Sequence, residues 1–184
     1  MKINHESLRK LVKESGMSAG ALADALPKDS DRRKQRDIAL ESVQNWINGK
    51  DHPRPGKADI EAMAAILGVE AGRIAIFSCT KRVVRSAPRK ARLVADLIRG
   101  RRVDEANGLL EFSPKRAAVP IKRALSAAVA EAEASSANLD RLVIAVSEVD
   151  EGPTIKRFQP KDRGRAHPIK KKTSHITIGV REVE

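Results

Sequence analysis

The feature that most constrains this chain is a basic segment, residues 152–175, with a strand-like run on each side. The segment reads GPTIKRFQPKDRGRAHPIKKKTSH and carries eight Lys and Arg against a single acid, Asp162. Alternating apolar residues at 142–149 and 176–183 predict one strand before it and one after it. Two strands joined in this way form a long β-hairpin with almost no apolar surface of its own. We therefore expect the hairpin to lie against a polyanion.

Three prolines divide the hairpin, and one glycine marks its centre. Pro153, Pro160 and Pro168 lack the backbone N–H that a ladder needs, so the distal arms are predicted not to form a continuous sheet. Gly164 lies between Arg163 and Arg165, which predicts a tight tip or a close backbone approach.

The charge of the whole chain narrows the choice of partner. A formal net charge of +12 and a sequence pI of about 10.2 indicate nucleic acid or another anionic surface. Aromatic residues make up only 2% of the chain, too few to offer stacking platforms to a run of unpaired bases. Phosphate contacts and recognition of RNA shape are therefore favoured.

The sequence does not support several other classes of protein. The single Cys79 excludes an internal disulfide, and no Cys/His cluster has zinc-ligand spacing, so neither a metal nor a cofactor is expected. The four histidines are scattered, and an enzyme is not expected. The N-terminal residues lack an apolar targeting core and no apolar run reaches membrane-spanning length, so the expected location is cytosolic.

A step in charge predicts two domains, 1–77 and 78–184. Residues 1–77 carry 13 basic and 11 acidic side chains, whereas residues 78–184 carry 23 and 13. The first domain is predicted to hold four short helices, with Ser18 capping the second and Trp46 as the largest core residue. Glycines are expected to end three of these helices, at Gly16, Gly49 and Gly68. The polar run 28–37, after a helix end at Pro27, is predicted to be an exposed loop.

The first domain carries three blocks, LRKLVKESGMSAGALADAL, VQNWINGK and DIEAMAAILGVE, in this order. Their apolar anchors resemble those of the repressor-type helix-turn-helix family, although a charged loop of about ten residues replaces the short turn of that family. The positions that would begin a base-reading helix are Ala39, Leu40 and Glu41, which suit neither base edges nor phosphate, and only Gln44 and Asn45 remain as readers. The domain is therefore either part of a DNA-binding transcriptional regulator or a docking module that has lost its reading face. Four loop cations either contact RNA phosphate or lie in solvent: Arg32, Arg33, Lys34 and Arg36.

The second domain is predicted to be α+β, with three helices on a small antiparallel sheet. A short edge strand is expected at 81–85, followed by a helix that Ser86 caps and that carries Pro88 in its first turn. Two sets of apolar residues should be buried, namely Leu93, Val94, Leu97 and Ile98 in this helix and Leu109 and Leu110 in the next. Ser113 and Pro114 should begin the long third helix, and Pro120 should bend it. Leu142, Ile144 and Val146 should face the helices from one strand.

Cations gather near the N-terminal half of the long helix, against the direction that the helix dipole favours. They are Lys115, Arg116, Lys122 and Arg123. This order suggests an external anion there, and a solvated charged face is the alternative.

Four blocks of the second domain together carry a closer resemblance. They read VRSAPRKARLVADLIRGRRVDEA, LLEFSPKRAAVPIKRAL, VDEGPTIKRF and GRAHPIKKKTSHITIGV. Over about residues 80–182 the chain resembles the family of bacterial large-subunit ribosomal protein twenty-two. The resemblance implies a structural constituent of the large ribosomal subunit that binds its ribosomal RNA, acts early in assembly and lies in the cytoplasmic ribosome. It also implies a globular domain near the opening of the polypeptide exit tunnel and a hairpin that lines the tunnel wall.

The same resemblance implies partners and site residues. The partners would be large-subunit ribosomal RNA, neighbouring ribosomal proteins and the nascent polypeptide, with no membrane and no small-molecule substrate. The expected RNA-binding residues are Arg85, Arg89, Lys90, Arg92, Arg99, Lys115, Arg116, Lys122, Lys156, Arg157, Lys161, Arg163, Arg165, Lys170, Lys171, Lys172 and His175. The expected tip in the tunnel comprises Lys161, Asp162, Arg163, Gly164 and Arg165. Asp162 and the pair His167–Pro168 depart from the family pattern, and residues 1–77 lie outside it.

Overall fold

The computed structural model describes residues 1–24, 26 and 36–183, except for the side chains of residues 36 and 37. The chain forms two compact units. Unit one comprises residues 1–77, 131–142 and 181–184, and unit two comprises residues 78–130 and 143–180. The predicted helix end at Pro27 and most of the predicted loop, including Arg32, Arg33, Lys34 and the Arg36 side chain, lie outside the described residues.

Unit one is mainly helical. Its helices and first strand are β1 (Lys2–Ile3), α1 (His5–Ser15), α2 (Ala19–Asp24), α3 (Arg36–Ile47), α4 (Lys57–Leu67) and α5 (Ala71–Ile74). The predicted helix ends at Gly16 and Gly68 are confirmed, since both glycines adopt positive φ angles of 63° and 65°. The backbone N–H of Ala21 donates to the hydroxyl of Ser18 at 3.3 Å, which confirms the predicted cap.

Trp46 is fully buried in unit one, as predicted. Its indole Nε1 donates to the carbonyl of Pro53 at 2.6 Å, so burial leaves no polar atom of the ring unsatisfied. His5 contacts the same region, because its Nδ1 lies 2.7 Å from the Trp46 carbonyl and its Nε2 lies 2.9 Å from Asp51 Oδ1. These bonds tie α1 to the end of α3.

Residues 131–142 pack inside unit one, which no sequence pattern predicted. The N-terminal amino group lies 3.1 Å from the carboxylate of Glu131. A Cβ added at Gly72 would lie 2.9 Å from the Cβ of Ala137, so the backbones approach closely enough there to require glycine. The side chains of Ala132, Ala137 and Leu142 are all buried.

Unit two contains three helices and a sheet. Its strands are β2 (Ala75–Val84), β3 (Leu142–Glu151) and β6 (Ser174–Glu182), in the order β2-β6-β3, and each of the three begins or ends in unit one. Its helices are α6 (Pro88–Ile98), α7 (Val103–Phe112) and α8 (Ala118–Glu133). Ile98, Ile121, Leu125, Ile176 and Ile178 are fully buried and form much of its core. Mixed helix and sheet agrees with the predicted class, although β2 is longer than the predicted strand at 81–85.

Helix α6 buries a different stripe from the predicted one. Leu93 and Leu97 are 59% and 41% exposed, so the prediction that they belong to the core is wrong. The buried residues at helical spacing are instead Ala91, Val94, Ala95 and Ile98. Small alanine side chains let a helix approach its neighbours more closely, and the two leucines are turned outward as a result. The N-cap is Ala87 rather than the predicted Ser86, and Leu109 of α7 is only half-buried.

Helix α8 begins later than predicted. Ser113 and Pro114 precede it in non-helical conformation, and its first residue is Ala118. Pro120 therefore lies in the first turn, where the missing N–H has no intrahelical partner to lose. The bend predicted at Pro120 is therefore no longer expected, because this proline removes no intrahelical hydrogen bond.

The alternation of buried residues changes phase along β3. Leu142 and Ile144 are buried, but Ser147 and Val149 follow them, while Val146 is only half-buried, contrary to the prediction. Ser147 donates from its hydroxyl to the carbonyl of Ala95 at 2.8 Å, which holds α6 against β3. The polar residue Ser147, which bonds to the helix backbone, is thus buried where Val146 was expected to be the buried residue.

Between β3 and β6 lie β4 (Ile155–Pro160) and β5 (Ala166–Lys171), which pair with each other as a separate antiparallel ladder. The ladder runs without interruption from the pair Ile155 and Lys171 to the pair Pro160 and Ala166. Pro160 and Pro168 lie within it, so the prediction that they interrupt the arms is wrong. In a two-stranded ribbon each strand has one free edge, and an outward-facing proline nitrogen costs no ladder bond.

Candidate nucleic-acid interface

Unit two has a strongly charged groove of about 810 Å³, here called the cationic groove. Seven cations line it: Lys81, Arg82, Arg85, Lys90, Lys115, Arg116 and Arg123. No acidic side chain is found among the described residues that line it. Like charges brought together in this way repel each other unless an anion lies between them.

Three elements bring these cations together: the end of β2, the start of α6 and the start of α8. Ala87, at the N-cap of α6, lines the groove, and so do Ala117, Val119 and Pro120 around the first turn of α8. The helix dipole adds partial positive charge at both helix starts. Side-chain cations and two positive helix ends therefore face the same space, which favours an anion such as phosphate.

Val83 gives the end of β2 an unusual backbone. Its φ angle is +53°, a conformation that a β-branched residue rarely adopts. Its backbone N–H donates to Nδ1 of His175 at 3.1 Å, and its side chain remains 49% exposed in the cationic groove. Lys81, Arg82 and Arg85 all line the groove. A positive φ breaks the alternation of a strand, so the face on which Arg85 lies is not set by its spacing from Lys81 and Arg82.

The expected RNA-binding residues of α6 and α8 fall into two groups. Arg85, Lys90, Lys115 and Arg116 line the cationic groove, and Arg89 is exposed on α6. The other group has partners inside unit two. Arg92 donates from Nε to the Val149 carbonyl at 3.2 Å, Arg99 donates to the Ser147 carbonyl at 2.7 Å, and Lys122 lies 3.6 Å from the Glu111 carboxylate. Arg92 and Arg99 thereby fasten α6 to β3.

Three cations of the groove were missing from the sequence-based set of RNA-binding residues: Lys81, Arg82 and Arg123. Arg123 was grouped in the sequence with the cations that suggest an external anion near the long helix, although it was not counted among the RNA-binding residues. Lys81 and Arg82 were predicted only as part of a short edge strand, because their position beside the starts of α6 and α8 depends on contacts between distant segments.

The hairpin ladder presents two different faces. Directly opposite residues of an antiparallel pair share a face, so Lys156 with Lys170 and Phe158 with Pro168 lie on one side. Arg157 with Ile169 and Gln159 with His167 lie on the other side. Nearly every side chain of the ladder is exposed, and Phe158 is 76% exposed. No ion pair within the described residues neutralises the ladder's cations.

The tip is a single 3-10 turn, Asp162–Gly164. Arg163 and Gly164 adopt positive φ angles of 54° and 71°, and the N–H of Lys161 donates to the Arg165 carbonyl at 2.7 Å to close the turn. All five tip residues, Lys161 to Arg165, are exposed. The two consecutive positive φ angles reverse the chain direction at the tip.

The base of the hairpin is tightly packed, in contrast to its tip. Gly152 donates from its backbone N–H to the Thr173 carbonyl at 3.0 Å, and the Thr173 hydroxyl donates to the Pro153 carbonyl at 2.6 Å. A Cβ at Gly152 would lie 2.5 Å from the Thr173 hydroxyl and 3.3 Å from Nε2 of His175. His175 therefore lies at the base of the hairpin and contacts the end of β2, while Lys171 and Lys172 are exposed beside it.

Unit one offers little for base recognition. Ala39 is buried, Leu40 is half-buried, and Glu41 is exposed on α3. Gln44 is exposed and Asn45 is half-buried. An exposed carboxylate beside two apolar positions would repel a DNA backbone, so α3 lends no support to the DNA-binding alternative.

Within the part of the chain that the structure describes, no group of three or more His, Cys, Asp or Glu residues could hold a metal ion. None of the described helices is long and apolar enough to cross a membrane.

A family model described as ribosomal protein L22p/L17e matches residues 79–181 of the chain, which is more than half of its 184 residues. The chain belongs to the ribosomal protein L22p/L17e family. Membership makes the protein a structural constituent of the large ribosomal subunit and not an enzyme, and the family's location is the cytoplasmic ribosome. The L22p/L17e match contains the cationic groove and the whole hairpin, and it leaves out residues 1–77, so the helix-turn-helix resemblance of unit one stays a prediction.

Proposed function

We propose that this L22p/L17e protein binds large-subunit ribosomal RNA through the cationic groove and the hairpin. The observation that carries the proposal is the convergence of seven cations and two helix starts on one groove without any acid among its described lining residues. Such a surface neutralises phosphates, and the release of their counterions supplies sequence-independent affinity. Folded RNA would be recognised by the position of its phosphates rather than by base edges.

The hairpin supports the same proposal. Its cations Lys156, Arg157, Lys170 and Lys171 are exposed on both faces of the ladder, so RNA can surround it. Lys156 and Lys170 lie directly opposite each other, a like-charge pair that destabilises the free ribbon and that bound phosphate would stabilise. Lys161, Arg163, Arg165 and Lys172 extend the charged surface to the tip and the base.

Neutralising two groove cations tests the RNA-binding proposal. The variant Arg116→Gln with Arg123→Gln removes two charges from exposed positions of the groove. If both contact phosphate, the slope of log K against log salt should become shallower by about 1.4 to 1.8. The matched control, Lys13→Gln with Lys50→Gln, removes the same charge from exposed positions of unit one. An equal change in slope for the control would show that only net charge matters and would reject the groove as the site.

We further propose, on the family resemblance, that the globular part of unit two lies near the outer opening of the polypeptide exit tunnel and that the hairpin lines its wall. The thirteen residues from Glu151 to Arg163 would reach roughly 40 Å if extended, which is long enough to line part of a tunnel. The exposed tip carries three cations and lacks apolar side chains that would need burial in protein. Early binding to the RNA during subunit assembly, with neighbouring ribosomal proteins, belongs to the same proposal.

Cross-linking tests the proposed tunnel position. Cys79 is the chain's single cysteine, so a Cys79→Ser background allows one new thiol to be placed at Arg163. Ribosomes that carry this variant and a stalled nascent chain should give a cross-link between position 163 and the nascent polypeptide. A thiol placed at Lys13 in unit one serves as the control. No cross-link from position 163, with the variant present in the subunit, would contradict the proposed position.

A further inference from the structure

A second concave surface of unit two is apolar and lies between α6 and α7. It is a groove of about 350 Å³, here called the apolar groove, and Lys115 is the one charged residue among its described lining residues. Phe112 at the end of α7 is 89% exposed, the largest exposed fraction among the large apolar side chains that the structure describes. Leu93 and Leu97 of α6, which the sequence pattern predicted to be core residues, form the other wall.

Phe112 differs from the aromatic residues of the core. Of the chain's three phenylalanines and one tryptophan, Phe77 and Trp46 are fully buried, whereas Phe112 and the hairpin residue Phe158 are exposed. An apolar patch on the surface of a soluble domain commonly marks a binding site. The groove therefore needs an occupant with an apolar part.

Two residues show which kind of occupant fits. Leu93 and Lys115 line both the apolar groove and the cationic groove, so the two grooves are continuous. A ligand that fills them needs an anionic part joined directly to an apolar, flat part. A nucleotide has this combination, since its sugar joins a phosphate to a base with a π-face.

The space beside Phe112 has the right form for a flat group. Gly108 lies one helical turn before Phe112 on the same face of α7, and a Cβ added at Gly108 would have no atom within 4 Å. The missing side chain leaves the ring of Phe112 accessible from that side. A side chain at position 108 would take up this space without disturbing the fold.

We infer that the apolar groove holds one unpaired base of ribosomal RNA, stacked on Phe112, while the adjoining phosphates of the same strand occupy the cationic groove. This inference rests on the proposed RNA-binding function and adds to it a stacking contact at one position. It agrees with the low aromatic content, which argues against a platform for many bases but allows Phe112, beside the cationic groove, to stack on one base.

Three variants of the full-length chain test the inference with purified large-subunit ribosomal RNA. Phe112→Ala should weaken binding about 5- to 10-fold, in the range measured for the loss of one stacked base, and should leave the salt slope unchanged because no charge is removed. Phe112→Trp should restore affinity to within about twofold, since indole stacks at least as well. Gly108→Leu, which fills the groove with a good helix former, should weaken binding as Phe112→Ala does.

Fluorescence supplies a second measurement. The wild-type chain has one tryptophan, Trp46, which is fully buried in unit one, so an indole at position 112 adds a separate exposed emitter. Its emission should be strongly quenched when the RNA is added, as expected for an indole stacked on a base.

The possible outcomes separate this inference from the proposed function. If the Arg116→Gln, Arg123→Gln variant makes the salt slope shallower but Phe112→Ala and Gly108→Leu bind RNA as the wild type does, the stacking inference is rejected and RNA binding stands. If those two variants bind RNA normally but enter large subunits less often, the occupant of the apolar groove is a protein. If the Arg116→Gln, Arg123→Gln variant binds with an unchanged slope, the proposed function itself fails.

Discussion

The backbone N–H of Val83 donates a 3.1 Å hydrogen bond to Nδ1 of His175, which joins the end of β2 to the start of β6. His175 is one of the residues expected to bind RNA, and in the structure it supports the backbone of the cationic groove. Val83 has a φ of +53° and lines the cationic groove together with Lys81, Arg82 and Arg85. A residue at the base of the hairpin thus supports the backbone of a surface built by other elements.

His175→Ala should lower the free energy of unfolding by about 0.5–1.5 kcal/mol, because the Val83 N–H loses its acceptor but remains accessible to water. His175→Asn should lose less, since its side-chain oxygen can accept from the same N–H. Urea unfolding of the full-length chain measures both. Equal losses for the two variants would show that the ring contributes by packing and not by the hydrogen bond.

Val83→Gly should raise the free energy of unfolding by about 1 kcal/mol, because glycine adopts a positive φ without strain. Val83→Ala should bring no such gain, since alanine keeps the Cβ that makes this conformation unfavourable. The half-exposed valine side chain loses little burial in either variant. Thermal or urea unfolding distinguishes the two, and a similar change in both would argue against strain at this position.

Gly152→Ala should destabilise unit two by about 1–3 kcal/mol, the usual cost of overpacking. The new Cβ would lie 2.5 Å from the Thr173 hydroxyl, which is held by its bond to the Pro153 carbonyl. Adding Thr173→Ala should make the Gly152→Ala cost smaller, and a double-mutant cycle measures this coupling. Gly108→Ala is the control, since open space surrounds that position and alanine favours a helix, so stability should rise slightly. Purely additive effects at positions 152 and 173 would count against the predicted clash.

A fragment beginning at Ser78 should lose amide protection along residues 131–142. Those residues belong to unit one, where Ala132, Ala137 and Leu142 are buried and Gly72 approaches Ala137 closely. Removal of residues 1–77 therefore exposes apolar side chains that lie within the span matched by the family. Hydrogen exchange of the fragment against the full chain measures the effect, and unchanged protection at 131–142 would contradict it.

The hairpin should account for much of the salt dependence of RNA binding. If about six of its eight cations meet phosphates, their contribution to the slope of log K against log salt is roughly −4 to −5. A variant in which residues 155–171 are replaced by a short glycine-rich turn should lose most of that contribution. A slope and affinity equal to those of the intact chain would show that the hairpin does not contact RNA in the complex.

Sequence patterns predicted the helices of unit one in good detail where local chemistry decides the structure. Gly16 and Gly68 end their helices because a left-handed cap favours glycine, and Ser18 caps the next helix with its own hydroxyl. The family blocks identified the ribosomal domain for the same reason, since they are contiguous in the chain. The prediction failed for α6, where two overlapping apolar stripes have helical spacing and only the neighbouring sheet selects between them.

The sequence by itself determined the strong positive charge, the basic segment between two strands and membership in the ribosomal family. Each of these depends on the identity of residues or on neighbours a few positions apart. Tertiary structure alone decided that Leu93, Leu97 and Phe112 face outward, that residues 131–142 pack in unit one and that seven cations share one groove. These features arise from contacts between segments far apart in the chain, because the free energy of burial depends on which surfaces meet and not on the order of residues within any one of them.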